Sequence, residues 1–265
     1  MGSRLRHAML PRSAESLRPA LAGAVLSIII DSMSDLKLYS ARACPFAHRT
    51  RLVLAEKGVP FELVEIDLAN KPSWFGNVSL YGKVPALEHA GQRIVESAVI
   101  NEYIEETFPE PRLLPGVPAQ RALARIWIDF ANTRLSVAYA KVLFGATEAE
   151  RHAGQTELIA ALELAEREGL ARLSGDGPYW LGAEPSLVDF TYYPWFERLP
   201  ALLEHTGFTL PTSLARLLRW RDSVRARASV QAIENPPGFY LERYRSYERP
   251  APAGQNEPRE RAKAS

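Results

Sequence analysis

Leu36-Lys37-Leu38-Tyr39-Ser40-Ala41-Arg42-Ala43-Cys44-Pro45-Phe46-Ala47-His48-Arg49-Thr50-Arg51-Leu52-Val53-Leu54 contains the change of period that decides the fold. From Leu36 to Ser40 apolar and polar side chains alternate, the pattern of a half-buried strand. Pro45 then suits the first turn of a helix, where its missing N–H costs nothing. The helix is expected to run to Lys57 and to stop at Gly58, with Pro60 beyond it.

Outward from this pair, Phe61–Ile66 reads as a second strand and Lys71-Pro72-Ser73-Trp74-Phe75 as a short irregular helix. Val84–Glu88 and Arg93–Val95, joined around Gly91, read as a hairpin. A helix from Ser97 to Phe108 closes the unit. The order β-α-β-α-β-β-α predicts one mixed sheet covered by helices over residues 36–109. Pro109, Pro111, Pro115, Gly116 and Pro118 mark a linker at 110–118. Beyond it the strands stop. Gln120–Phe144 carries Leu123, Ile126, Trp127 and Phe130 at helical spacing. Thr156–Leu173, Leu187–Leu199, Leu214–Ala226 and a shorter Tyr240–Tyr247 complete a helical domain over 119–249. Trp127, Trp180 and Trp220 are expected in its core. Residues 250–265, rich in Pro, Ala, Arg and Glu, read as a disordered tail.

The chain has 265 residues, enough for one large domain or two ordinary ones. A hydrophobic share of 46% against a charged share of 24% predicts a folded protein with a core. Net charge is +1, from 32 basic and 31 acidic side chains, so no basic face is implied and nucleic acid is not an expected partner. A single cysteine rules out an internal disulfide and a cysteine-built zinc centre. The five histidines show no ligand spacing, and no metal is expected. Residues 1–32 differ from the rest, with four arginines ahead of the apolar run Ala20–Ile30. That run is shorter than the roughly 20 residues a spanning helix needs. Ser32-Met33-Ser34 is a poor cleavage site, and Arg6 stands where a myristoylation signal needs Ser or Thr. Residues 1–35 are therefore read as a dispensable extension or an early start codon, in competition with a targeting segment. A cytoplasmic protein is expected.

Cys44 sits between a strand and a helix N-terminus. The unpaired N–H groups and the dipole there stabilise negative charge, and thiolate is the reactive form of cysteine. Three residues on stands Ala47, so the protein offers no resolving thiol. A mixed disulfide formed at Cys44 must be opened by an external thiol, and glutathione is the usual small one.

Here the sequence resembles the glutathione transferase superfamily, and within it the omega class. Cys44-Pro45-Phe46-Ala47 with Arg49-Thr50-Arg51-Leu52-Val53-Leu54 is similar to the omega signature at the active-site cysteine. Asn70-Lys71-Pro72-Ser73-Trp74-Phe75, Lys83-Val84-Pro85-Ala86-Leu87 and Val95-Glu96-Ser97-Ala98 follow in the family's order, and Tyr193-Pro194-Trp195-Phe196-Glu197-Arg198 resembles a further omega stretch. The resemblance spans residues 36–247, and the plant lambda class shares much of its front half. It implies a thioredoxin-like α/β N-terminal domain plus an all-α C-terminal domain, a homodimer, and glutathione as co-substrate. It implies Cys44 as the catalytic residue. Phe46, Lys71, Lys83, Val84, Pro85, Glu96 and Ser97 would contact glutathione. Pro85 corresponds to the family's cis-proline, and Val84 would offer its backbone to the cysteinyl part. Ser97, opening a helix, suits the γ-glutamyl carboxylate, and Glu96 the ammonium of the same moiety. Arg198 and Tyr244 resemble residues that line the second-substrate pocket between the domains. Ser186-Leu187-Val188-Asp189 is similar to the family's N-capping box, a folding element. One departure is Pro236-Pro237-Gly238-Phe239, where the omega pattern has a tryptophan before its Gly-Phe pair.

The activity implied is glutathione-dependent thiol transfer, with dehydroascorbate reduction as a related possibility. The competing reading is a ligand carrier or channel-like relative that keeps the fold without turnover. Stable membrane insertion is not expected, since His48, Arg49, Arg51, Glu56 and Lys57 interrupt the first helix. His48, one turn beyond Cys44, reads as part of a solvated face.

Overall fold

The computed structural model describes residues 35–247. The expectations for 1–34 and for the tail lie outside the described residues.

The front domain is a four-stranded sheet in the order β2-β1-β3-β4, formed by β1 (Lys37–Ser40), β2 (Glu62–Glu65), β3 (Ala86–His89) and β4 (Gln92–Val95). β1 runs parallel to β2, with Leu38 opposite Leu63, and antiparallel to β3, with Leu38 opposite Leu87. The period of two sorts β1 onto two cores. Leu36 and Leu38 enter the main core beneath helices α1 (Pro45–Lys57) and α2 (Ser97–Thr107), together with Leu52, Leu87, Ile100 and Ile104. Tyr39 and Ala41 face the other way, into a smaller cluster with Ile66, Phe75 and Val84. Cys44 packs on the edge of that second cluster. The expected Lys71–Phe75 helix is a 3-10 segment at Ser73–Asn77.

α1 ends as the sequence requires. Gly58 is left-handed at φ 61°, and the N–H groups of Gly58 and Val59 return to the Ala55 and Leu54 carbonyls. The linker is tied back to the front domain. Lys57 Nζ reaches the carbonyls of Phe108 (2.7 Å) and Pro111 (2.8 Å) and pairs with Glu105 at 2.6 Å. Glu105 in turn accepts the N–H groups of Leu113 and Leu114, each at 2.9 Å.

The rear domain is helical, as expected, with shifted boundaries. Gln120–Phe144 is α3 (Pro118–Phe130) and α4 (Ser136–Phe144), joined by a π-helical turn at Ala131–Leu135. α5 (Glu148–Leu164) starts well before Thr156, because Thr147 and Glu150 form a capping box ahead of a polar first stretch. It continues through a π turn, Ala165–Leu170, to Leu173. α6 spans Leu187–Thr206 and runs past Leu199 with Pro194 and Pro200 inside it. Burial of Leu202, wholly inaccessible, outweighs the proline's local preference to stop. α7 (Ala215–Arg225), a one-turn α8 (Ala228–Gln231) absent from the sequence reading, and α9 (Phe239–Tyr247) follow. Asp189 is fully buried. Its carboxylate accepts from the Ser186 N–H and hydroxyl, the Trp180 N–H and the Trp220 indole at 2.6–2.8 Å. Trp127, Trp180 and Trp220 are core residues.

The domains meet where α1 packs along α6. Polar pairs cross the seam: Glu56 takes hydrogen bonds from Arg227 and Ser229, and Arg42 Nε donates to Asn235 at 2.6 Å. Among the described residues, no helix is long and apolar enough to cross a membrane.

Candidate active site

Cys44 is the N-cap residue of α1, with extended φ −81° and ψ 121°. Its N–H donates to the Ala41 carbonyl and its carbonyl accepts from His48, both at 2.9 Å. The strand-to-helix turn is thereby closed on both sides, and the thiol projects from the helix start. Pro45 occupies the first helical position, as its sequence position implies. The half-buried Sγ lies 3.9 Å from the Val84 carbonyl.

That contact brings Cys44 next to the rest of the expected site. Phe46, Lys83, Val84, Pro85, Glu96 and Ser97 line one cleft of about 140 Å³. The Val84–Pro85 bond is cis. Lys71 stands at the edge, its Nζ donating to the Gly82 carbonyl at 3.0 Å. Glu96 holds φ 66°, a left-handed conformation that costs a non-glycine residue about 1–3 kcal/mol, a strain often found at ligand sites. Ser97 is the first residue of α2, yet its hydroxyl does not cap the helix. It accepts two hydrogen bonds from Arg49, with Nε at 2.8 Å.

Three cleft residues escaped the sequence reading: Ser79, Tyr81 and Val95. Ser79 Oγ accepts the Lys83 N–H at 2.9 Å and donates to the Lys83 carbonyl at 2.7 Å, which sets the turn leading into Pro85. A serine four residues before a motif lysine carries no signal of that role.

The charged residues of α1 are not solvated, which corrects the expectation for His48. His48 is fully buried, and its Nδ1 lies 3.0 Å from Glu197 of α6. Burial pushes its pKa down to about 4, against the raising effect of Glu197. The ring is therefore neutral near pH 7, with Nδ1–H donating. Burial alone pushes the Glu197 carboxyl up. His48, Arg198 and the Asn235 N–H together more than offset it and hold the carboxyl below its usual range. Arg51 is buried and donates to the Arg42 carbonyl at 3.2 Å.

Arg198 and Tyr244, expected in the second-substrate pocket, lie beneath the surface at 2% and 4% exposure. The Arg198 guanidinium is held by the carbonyls of Pro194 (2.6 Å) and Ala43 (3.3 Å) and stacks on Tyr240 at 4.3 Å. It thus grips the residue before Cys44 from the rear domain. The Tyr244 hydroxyl meets that of Tyr139 at 3.0 Å, and burial pushes the Tyr244 pKa up to about 12. A larger hollow of about 1060 Å³ lies between α4, α5 and the end of α9 and contains none of these residues. Among the described residues, no cluster of side chains is suited to a metal ion.

The geometry is a half-buried thiol at a helix start, beside the backbone carbonyl that precedes a cis-proline, with Glu96 and Ser97 lining the cleft at that proline. The chain matches the family models for the N-terminal domain of glutathione S-transferase over residues 43–107 and for the C-terminal domain over residues 148–223. It is 32% identical over 208 residues to glutathione S-transferase omega-1 of Sus scrofa, covering 76% of this chain and 81% of that one. It is 35% identical over 190 residues to glutathione S-transferase U19 of Arabidopsis thaliana, covering 70% and 83%. Among solved structures, glutathione transferase Omega 3C from Trametes versicolor superposes with a TM-score of 0.70 at 27% identity, covering 84% of this chain and 94% of that one. Rice GST1 in complex with glutathione does so with a TM-score of 0.71 at 28% identity, covering 80% and 96%. Fold, family models and relatives agree: the chain belongs to the glutathione transferase superfamily, in its omega class, and is a glutathione transferase.

Proposed function

We propose that this transferase works as a monothiol thiol transferase through Cys44. The observation that carries the reading is the Cys44 thiol at the start of α1, 3.9 Å from the Val84 carbonyl, in a chain with no second cysteine. Glutathione, with its γ-glutamyl end at Glu96 and Ser97 and its cysteinyl backbone along Val84, brings its sulfur to Cys44. The Cys44 thiolate attacks the glutathionyl sulfur of a mixed disulfide, a Cys44–glutathione disulfide forms, and the other thiol leaves. A second glutathione thiolate then attacks that disulfide, releasing oxidised glutathione and restoring Cys44. Dehydroascorbate reduction draws the same two electrons from two glutathione molecules. Arg198 and Tyr244 form the floor of the second-substrate pocket beside Cys44.

The test is mass spectrometry of the enzyme after a glutathionylated peptide is added, beside a disulfide-exchange assay. Wild type should gain one glutathione at Cys44, and Cys44→Ser should gain none and lose exchange. A serine variant with full exchange would refute the mechanism. The chain is also proposed to act as a homodimer in the cytoplasm. Leu80, Tyr81 and Ile126 are exposed apolar side chains that such an interface could cover.

A further inference from the structure

Arg49 is a cation with no anion. It is 3% exposed, on the helix that begins at Cys44, and no described carboxylate lies within ion-pair distance of it. Its Nε and Nη2 donate to Ser97 Oγ, and its Nη1 donates to Asn132 Oδ1 at 2.7 Å. Its face lies over the Phe46 ring at 5.1 Å. All of these partners are neutral. A buried charge satisfied only by neutral groups is costly unless something else completes it. Burial pushes the Arg49 pKa down to about 10, and the negative groups that oppose this are Cys44 and Glu96.

The hydrogen bonds also fix a direction. A hydroxyl has two acceptor lone pairs and one proton. Arg49 fills the acceptor side of Ser97 with two charge-assisted bonds, which leaves the Ser97 proton for a further acceptor, and Ser97 lines the cleft. Asn132, which holds the far end of the guanidinium, stands in the π turn Ala131–Leu135 of the rear domain. π turns insert one residue into a helix and recur at functional sites.

We propose that Arg49, held in place by Asn132, is the buried positioning cation of the glutathione site. It turns Ser97 into a one-way donor to the γ-glutamyl carboxylate and balances the negative charge of the Cys44 thiolate. This rests on the reading that the γ-glutamyl end docks at Glu96 and Ser97. The rear domain thereby sets the affinity of a ligand bound by the front one.

Asn132→Asp is the discriminating variant, because it keeps the shape and gives Arg49 a carboxylate. Calorimetry should show glutathione binding about tenfold weaker, the order expected when a unit charge a few ångströms away is cancelled. Alkylation of the ligand-free enzyme by neutral iodoacetamide at pH 7 should slow several-fold. The thermal midpoint should hold or rise, since an ion pair has been added. A pair of variants at the cation itself is a second route: Arg49→Lys should keep part of the affinity that Arg49→Gln loses. Wild-type binding and alkylation in Asn132→Asp, with Glu96→Gln clearly weakened, would overturn the proposal and leave the docking reading intact. Unchanged binding in Glu96→Gln and Asn132→Asp together would overturn both. Equal affinities in the two Arg49 variants would likewise refute the role of charge.

Discussion

Acid should destabilise this protein through His48, an effect that the difference between wild type and a His48 variant separates from the carboxylates, including buried Asp189, whose pKa burial pushes up. The folded pKa is about 4 and the ordinary value 6.5. A base whose pKa is depressed by folding is protonated more readily in the unfolded chain, so stability falls as pH drops below 6.5. At pH 5 the unfolded histidine is mostly charged and the native one mostly neutral, a difference of about 2 kcal/mol, rising to about 3 kcal/mol near pH 4. Glu197, held below its ordinary 4.5, adds its own loss only as pH falls further. The comparison of wild type with a His48 variant from pH 7 to pH 5 therefore isolates His48. His48→Asn places an amide nitrogen near the position of Nδ1 and removes the titration, at a cavity cost that does not depend on pH. Urea unfolding of both proteins at one protein concentration gives stability against pH. The wild-type advantage at pH 7 should shrink by about 2 kcal/mol at pH 5. Parallel curves would refute a buried, neutral His48.

Asp189→Ala leaves the Trp180 and Ser186 N–H groups and the Trp220 indole without their acceptor, and should cost about 3–5 kcal/mol in urea unfolding. Gly154→Ala gains about 1 kcal/mol of helix propensity in isolation. Here a Cβ would stand 2.7 Å from Lys141 Cβ and 2.8 Å from the Val142 nitrogen, so the thermal midpoint should fall instead. Sedimentation at micromolar concentration should give a dimer, and Tyr81→Glu should shift it towards monomer. A monomeric wild type would refute the assembly.

The sheet, α1 and the cysteine turn were legible because each rests on local rules. Period-two alternation, Pro45 at a helix start and Gly58 at its end act within a few residues. The true start of α5 was legible too, in Thr147 and Glu150, but a charged stretch before Gly154 hid it. The inward-facing charges of α1 were not legible. His48, Arg49, Arg51 and Lys57 are buried against partners on other segments, among them Glu197, Asn132, Ser40 and the Phe108 carbonyl, and no spacing within the helix records that. Pattern reading assigns charge to the outside, and around Cys44 the charge is inside. Nor does any local pattern record that the Arg198 guanidinium is held by two backbone carbonyls, one of them beside Cys44.

The polar pairs across the domain seam set a limit on recombination. Two separate family models recognise the two halves, which invites treating them as exchangeable modules. Yet Arg42, His48, Arg49 and Glu56 of the front half take their partners Asn235, Glu197, Asn132 and Arg227 from the rear half. A chimera that grafts a foreign rear half onto this front half strands buried polar groups on the helix that starts at Cys44. For this chain, a foreign rear half should therefore be accepted only if it brings the Asn132, Glu197 and Arg227 partners with it.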